Sequence, residues 1–341
     1  MNILFTCAGR RNYLLRYFRE YMSEHDKVLA TDMSLLAPAM HEADIALQVP
    51  SIYDNTYVDS LLSIVQQYSV NAIISLNDLE LPLLATNAER FKSVACQLLV
   101  SSSAVIDLCF DKMKTVSFLQ SIGLNTPKTY TGLNDALQAL EAGTLCFPLV
   151  VKPRWGSASI GIEFPQDTEE LRLTFQLLRH KLSRTILATA SKEDYDKALL
   201  IQQKIEGREY GMDILNDFNG NYVACFAREK MAMRAGETDK ARSVVNPHLT
   251  EIGERIGKEL KHIGNLDIDI LEDQHGNFYV LEMNPRFGGG YPFSHEAGGC
   301  GVAAYVAWLN NAATPINKLA YTPGKVFSKC DRMIDLNINE L

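Results

Sequence analysis

Residues 278–290 read Phe278-Tyr279-Val280-Leu281-Glu282-Met283-Asn284-Pro285-Arg286-Phe287-Gly288-Gly289-Gly290. The apolar run Phe278 to Leu281 predicts a β-strand, which Pro285 and the glycines end. Side chains alternate along a strand, so Glu282, Asn284 and Arg286 fall on one face. A carboxylate, an amide oxygen and a guanidinium together suit a hard cation carrying an anion. Mg²⁺ takes oxygen ligands and keeps phosphate oxygens in its shell, while arginine grips phosphate or carboxylate. The preceding apolar run, Leu266 to Leu271, carries Asp267 and Asp269. The turn Asp273-Gln274-His275-Gly276-Asn277 predicts a hairpin that folds one strand onto the other and brings Asp269 near Glu282. A solvated strand end would account for any one of these residues. It does not account for Asp, Glu, Asn and Arg gathered on one face ahead of a glycine run.

The whole chain sets the bounds. At 341 residues it is long enough for two or three domains, and 47% hydrophobic content predicts a sizeable core rather than disorder. A net charge of −8 argues against general nucleic-acid binding, which needs a basic surface. No run of about 18 apolar residues predicts a membrane span, and Met1-Asn2-Ile3-Leu4-Phe5 reads as a strand opening rather than a signal peptide. The seven cysteines are scattered with no Cys-x-x-Cys pair, as reduced core residues of a cytoplasmic protein would be. The histidines are dispersed too, which disfavours zinc.

From the N-terminus, strands at residues 2–7, Val28 to Thr31 and Ala72 to Leu76 alternate with helices at Asn12 to about Met22 and Val58 to Tyr68. A further short strand is expected at Leu47 to Pro50. This alternation predicts a parallel, doubly wound sheet. The first turn has Gly9 alone where a dinucleotide fingerprint needs three spaced glycines, so a nicotinamide oxidoreductase is disfavoured. Arg10 and Arg11, at the carboxyl end of the first strand, could meet an anion or simply be an exposed helix start. Further on, one helix is expected from Asp107 to Ile122, with Lys112 and Lys114 in its first turns. A strand from Phe147 to Pro153 ends in Lys152, and a charge emerging from an apolar strand needs a partner. The loop Gly156-Ser157-Ala158-Ser159-Ile160-Gly161 has little bulk, so its backbone N–H groups can approach phosphate oxygens. It lacks the Gly-Lys-Ser/Thr that closes a Walker loop. Strands at Leu199 to Gln203 and Glu209 to Asp213 flank a tight turn at Gly207, and another runs from Tyr222 to Glu229. Arg228, Lys230 and Arg234 then lead into an expected mobile loop over 235–240. Residues 248–263 predict an amphipathic helix and 295–309 a buried one.

In order, these are a lysine on a helix, a lysine at a strand end, a small-residue loop, a hinge strand, an acid and Glu-x-Asn-x-Arg. That sequence of features closely resembles the ATP-grasp superfamily, in the branch of carbamoyl-phosphate synthase and biotin carboxylase. The resemblance implies an α/β and α+β architecture: a Rossmann-like domain (1–105), a helical linker (106–126), a lid subdomain (127–203) and a C-terminal subdomain with the Mg-ATP and substrate site (204–341). It assigns Lys112, Lys152 and the loop Gly156, Ser157, Ser159 and Gly161 to the nucleotide phosphates. Gln202, Gln203 and Ile205 would meet adenine, and Glu209 the ribose hydroxyls. Asp269, Glu282 and Asn284 would hold Mg²⁺, with Mn²⁺ as a substitute, and Arg286 would steady the transferred phosphoryl group. Arg234 is the residue marked for carboxylate or acceptor recognition. Two departures stand out: relatives often carry an acid where Gln202 stands, and carbamoyl-phosphate synthase carries Gln where Asp269 stands.

The implied reaction is ATP-dependent ligation through an acyl phosphate, joining a small-molecule carboxylate to an amine with release of ADP and phosphate. A non-catalytic nucleotide-binding regulator or partner subunit with the same fold is the alternative. Its expected mark, a missing metal ligand or phosphate lysine, is absent from the sequence. A homodimer is an assembly such relatives often form.

Overall fold

The computed structural model describes residues 1–156, 161–185, 187–188 and 194–335. Three sheets carry the chain. The first is parallel and built from β1 (Asn2–Thr6), β2 (Lys27–Asp32), β3 (Ile45–Gln48), β4 (Ala72–Ser75) and β5 (Gln97–Leu98). Its order is β3-β2-β1-β4-β5, with helices Asn12–Arg19 and Tyr57–Gln67 as crossovers. In such a sheet the order reverses between β1 and β4, and that switch point opens a crevice at the carboxyl ends of the strands. β1 and β4 are buried throughout apart from Asn2, as expected of strands covered on both faces.

The expected single helix over 107–122 is two helices, Ser103–Phe110 and Lys112–Ser121. Asp111 breaks them with an extended backbone, and its side chain caps the second by accepting from the Met113 N–H. The apolar periodicity runs through the break, which hides it from pattern reading. The capping preference of aspartate was the available signal.

The second sheet is small and antiparallel: β6 (Thr129–Tyr130), β8 (Leu199–Gln203) and β7 (Leu149–Pro153) in that order. Helices Leu133–Glu141 and Thr168–Leu182 pack on it around a separate core that includes Leu149, Val151, Leu171 and Ile201.

The third sheet contains β9 (Gly207–Asn216), β10 (Tyr222–Arg234), β11 (Glu237–Val244), β12 (Gly264–Asp273), β13 (Phe278–Asn284) and β14 (Val326–Ser328). Its order is β13-β12-β9-β10-β11-β14, antiparallel throughout. Helix Pro247–Leu260 covers one face with Leu249, Ile252, Ile256 and Leu260. The mobile loop expected over 235–240 is instead a tight hairpin, since β10 and β11 pair up to Arg234 and Glu237. Its two central residues, Ala235 (φ 50°) and Gly236 (φ 80°), both take positive φ, as the favoured two-residue hairpin turns require. The buried helix expected over 295–309 is divided into Tyr291–Glu296 and Gly301–Leu309 by Gly298, Gly299 and Cys300.

The first and third sheets share a core. Phe5 and Phe18 pack with Phe287, Tyr291 and Tyr305, several of the rings edge to face. Among the described residues no helix is long and apolar enough to cross a membrane.

Candidate active site

The three sheets converge on a cavity of about 480 Å³. The hairpin of β12 and β13 supplies its floor. In its register Asp269 stands opposite Glu282 and Asp267 opposite Asn284. Among the described residues no three His, Cys, Asp or Glu side chains form a metal-binding group. Two carboxylates beside an amide are nonetheless a donor set that fits Mg²⁺, which completes its shell with phosphate oxygens and water. The Asn284 amide donates to Glu282 Oε1 at 3.4 Å, so the two side chains meet at the end of the strand.

Two lysines approach this floor. Lys112 Nζ lies 3.7 Å from Glu282 Oε2 and donates to the Gly156 carbonyl at 2.5 Å. Lys152, next to last in β7, is buried, and its side chain has no hydrogen-bond or ion-pair partner among the described residues. Burial, with Lys112 close by, brings it down to about 8, against the opposing pull of Glu282 and Asp269. Burial also works against the Glu282 charge, but Lys112 and Lys152 outweigh it and hold that carboxyl below the ordinary range. The Pro153–Gly156 turn is tied down by Arg154, which forks onto Asp111 with two bonds of 2.7 Å.

Three neighbouring strands carry a feature that spacing along the sequence did not reveal. Positions 209, 211 and 213 of β9 lie between 228 and 230 of β10 and 267 and 269 of β12. Each cation of β10 reaches over β9 to a carboxylate of β12, giving two parallel rungs. In the first, Arg228 donates to Asp213 Oδ2 (2.5 Å), Asp267 Oδ1 (2.8 Å) and Ser294 Oγ (3.2 Å). In the second, Lys230 Nζ lies 2.8 Å from Glu209 Oε1 and 2.7 Å from Asp269 Oδ1. Burial opposes the charge of both cations, and their flanking acids outweigh it and raise both above the usual value. The period-2 spacing within each strand was visible. Which strands are neighbours was not.

The glycines after β13 are explained by the first rung. A Cβ at Gly290 would fall 2.1 Å from the Arg228 guanidinium, and one at Gly288 2.1 Å from Asp267. The backbone here packs directly on the buried ion pair.

Arg286 follows, and its Nη2 donates to Asp78 Oδ2 at 2.6 Å, with Nη1 3.6 Å from Asp267 Oδ2. Asp78 comes from the turn after β4, at the switch point of the parallel sheet. Arg11, from the turn after β1, donates to the Phe287 carbonyl. Both line the cavity, so the N-terminal sheet closes one wall of the site. Asp78 was legible only as a strand-end acid. By contrast Arg10 is exposed, 4.0 Å from Asp331. Asp32 spends both carboxylate oxygens on the Gly9 and Ser34 N–H groups at 2.9 Å, the position from which a dinucleotide fold would hold ribose.

The remaining expected residues divide. Gly156 and Glu209 line the cavity; Gly161 packs against Pro153, and Ser157 and Ser159 lie outside the described residues. Gln202 is buried and donates to Thr129 Oγ1 at 2.8 Å, while the Gln203 amide oxygen accepts from the Lys128 N–H at 3.4 Å. Neither these two nor the buried Ile205 line the cavity. Arg234 is half exposed, paired with Asp239 and Asp331 at 3.1 and 2.7 Å, and is also off the cavity wall.

Known proteins resemble this chain in sequence and in fold. A family model for the ATP-grasp domain matches residues 109–290, and one for the PylC-like N-terminal domain matches residues 3–99. The first spans more than half of the chain, which belongs to the ATP-grasp family. The large chain of carbamoyl phosphate synthase from Campylobacter jejuni is 24% identical over 240 residues, 66% of this chain but 20% of that protein. The D-alanine–D-alanine ligase of Stutzerimonas stutzeri is 26% identical over 193 residues, 52% of this chain and 55% of the ligase. The chain thus spans about half or less of the length of these relatives. Among solved structures, a biotin carboxylase complex from Campylobacter jejuni has a TM-score of 0.75 at 17% identity, covering 95% of this chain and 74% of that one. An L-amino acid ligase from Bacillus licheniformis has a TM-score of 0.69 at 21% identity, covering 90% and 75%. At such identities the likeness is one of fold.

Proposed function

We propose that the protein is an ADP-forming ligase that activates a carboxylate as an acyl phosphate and passes it to an amine or a related nucleophile. The observation that carries this reading is the convergence of Lys112, Lys152, Asp269, Glu282, Asn284 and Arg286 on one cavity. Membership of the ATP-grasp family, with ligases among the relatives, supports it.

In this reading Lys112 and Lys152 hold the nucleotide phosphates, with Gly156 on the cavity wall beside them. Glu209 takes the ribose hydroxyls. The Gln202 and Gln203 side chains are committed to Thr129 and Lys128, so adenine is left to the backbone of Lys204 and Ile205 just past β8. Asp269, Glu282 and Asn284 would hold Mg²⁺, which supplies charge neutralisation at the phosphate oxygens. The substrate carboxylate attacks the γ-phosphorus in line, and the bond to the ADP oxygen breaks. Arg286, fixed by Asp78 and Asp267, meets the charge that develops on the transferred group. The nucleophile's nitrogen then attacks the acyl carbon, phosphate leaves, and the amine proton passes to solvent or phosphate. The protein contributes position and preformed charge rather than covalent chemistry.

The test is release of ADP and phosphate, followed separately, across pools of carboxylic acids and amines with Mg²⁺, using Glu282→Ala as control. Stimulation by one pool that the variant abolishes is the expected outcome. AMP and pyrophosphate in place of ADP would sink the acyl-phosphate route. Tight Mg-ATP binding without turnover in any pool would favour a nucleotide-binding subunit.

A further inference from the structure

The second rung contains a cation exactly where the proposed metal site needs its carboxylate free, and that conflict carries an inference. We propose that Lys230 is a resident cation of the metal site, which keeps Asp269 neutralised and lets a divalent metal in only together with the nucleotide. This rests on the reading of Asp269, Glu282 and Asn284 as metal ligands.

Three observations support it. Lys230 Nζ touches Asp269 Oδ1 at 2.7 Å and Glu209 Oε1 at 2.8 Å, so one oxygen of the proposed metal ligand is already bonded and its charge is matched. The lysine side chain is 6% exposed, so water screens the contact little and a metal ion approaching Asp269 meets the ammonium's charge at close range. On the neighbouring strand β13, Glu282 has the Lys112 ammonium 3.7 Å away, within ion-pair distance though not hydrogen-bonded. Both metal carboxylates are therefore matched by a lysine before any ligand arrives.

Arg228 makes three hydrogen bonds, two of them to acids, and the backbone of Gly211 and Gly290 encloses it. A lysine has a single, mobile ammonium on a flexible stem. Arg228 is thereby a permanent brace, whereas Lys230 is built to let go of one acid and keep the other. When polyphosphate oxygens bring their own metal, Asp269 exchanges the ammonium for it and Lys230 stays on Glu209. Free metal ion, lacking the phosphate oxygens, gains too few ligands to drive that exchange.

Mn²⁺ titrations followed by electron paramagnetic resonance test this on the full chain, with and without ATP. The nucleotide-free wild type is expected to bind Mn²⁺ weakly and the ATP-loaded protein tightly. Lys230→Met and Lys230→Gln are expected to bind Mn²⁺ without nucleotide about tenfold or more tightly than wild type, since an opposing charge has been removed. Lys230→Arg is expected to stay weak. The glutamine variant keeps a hydrogen-bond donor for the two acids and serves if the methionine variant does not fold, judged by its circular dichroism. Unchanged nucleotide-free affinity in folded Lys230→Gln would overturn the role of Lys230. A separate outcome belongs to the underlying reading: if Glu282→Ala and Asp269→Asn leave Mn²⁺ binding of the ATP-loaded protein intact, the metal site itself is misplaced.

Discussion

Lys152 is the residue whose charge state the site leaves most exposed to pH. It is brought to about 8 in the ligand-free protein, below the 10.5 of a free lysine. The folded chain therefore binds fewer protons than the unfolded chain between those values, and this group makes stability rise with pH across that window. In the proposed site nucleotide binding would run the other way, because phosphate needs the ammonium. The KM for ATP is expected to climb as pH passes about 8 while the wild type grows no less stable. In Lys152→Arg the climb should flatten, since the guanidinium remains charged. A wild-type KM that is level through pH 9 would remove Lys152 from the phosphates.

Single residues also mark how far the sequence could be read. The face of Glu282 and Asn284, and the approach of Asp269, follow from alternation and one turn, which are local rules. Gln202 was harder, because a glutamine on a strand can face a ligand or its own sheet. Only the proximity of Thr129, 73 positions away in sequence, turns it inward.

At the scale of elements, the rung of Arg228 depends on the glycines that follow β13. Gly290→Ala places a methyl 2.1 Å from the buried Arg228 guanidinium, which must shift off its acids to make room. Breaking a buried ion pair in this way typically costs about 3–5 kcal/mol. The expected result is a marked drop in the urea midpoint together with loss of ADP release. Stability equal to wild type would mean that the strand end moves independently of the rung. Element ends were also where pattern reading failed. The helix break at Asp111 and the hairpin at Ala235-Gly236 depend on one or two backbone conformations, and apolar periodicity does not register those. Long, regular pieces such as helix Pro247–Leu260 and the parallel strands were legible because many residues repeat the same signal.

At the scale of the molecule, the N-terminal sheet is part of the site through Asp78. That residue holds Arg286 across an interface whose core is shared by Phe18, Phe287 and Tyr305. Asp78→Asn keeps the shape and removes the charge. With the partner gone, Arg286 loses its fixed position, and kcat is expected to fall by about tenfold or more while the KM for ATP changes little. Equal losses in both would indicate that Asp78 supports the nucleotide pocket as a whole. No reading of local sequence could pair residues 208 positions apart.

The clamp between Arg154 and Asp111 has a consequence for motion. The Lys112 N–H donates to the Arg154 carbonyl at 3.3 Å and the Lys112 ammonium to the Gly156 carbonyl, so the turn after β7 and the start of helix Lys112–Ser121 form one stiff joint. A lid swinging away from the cleft cannot pivot at that joint without pulling on Lys112. If the proposed role of Lys112 holds, opening the door and releasing the grip on the phosphates would be a single stroke, and the tempo of turnover would be set by how fast that stroke completes.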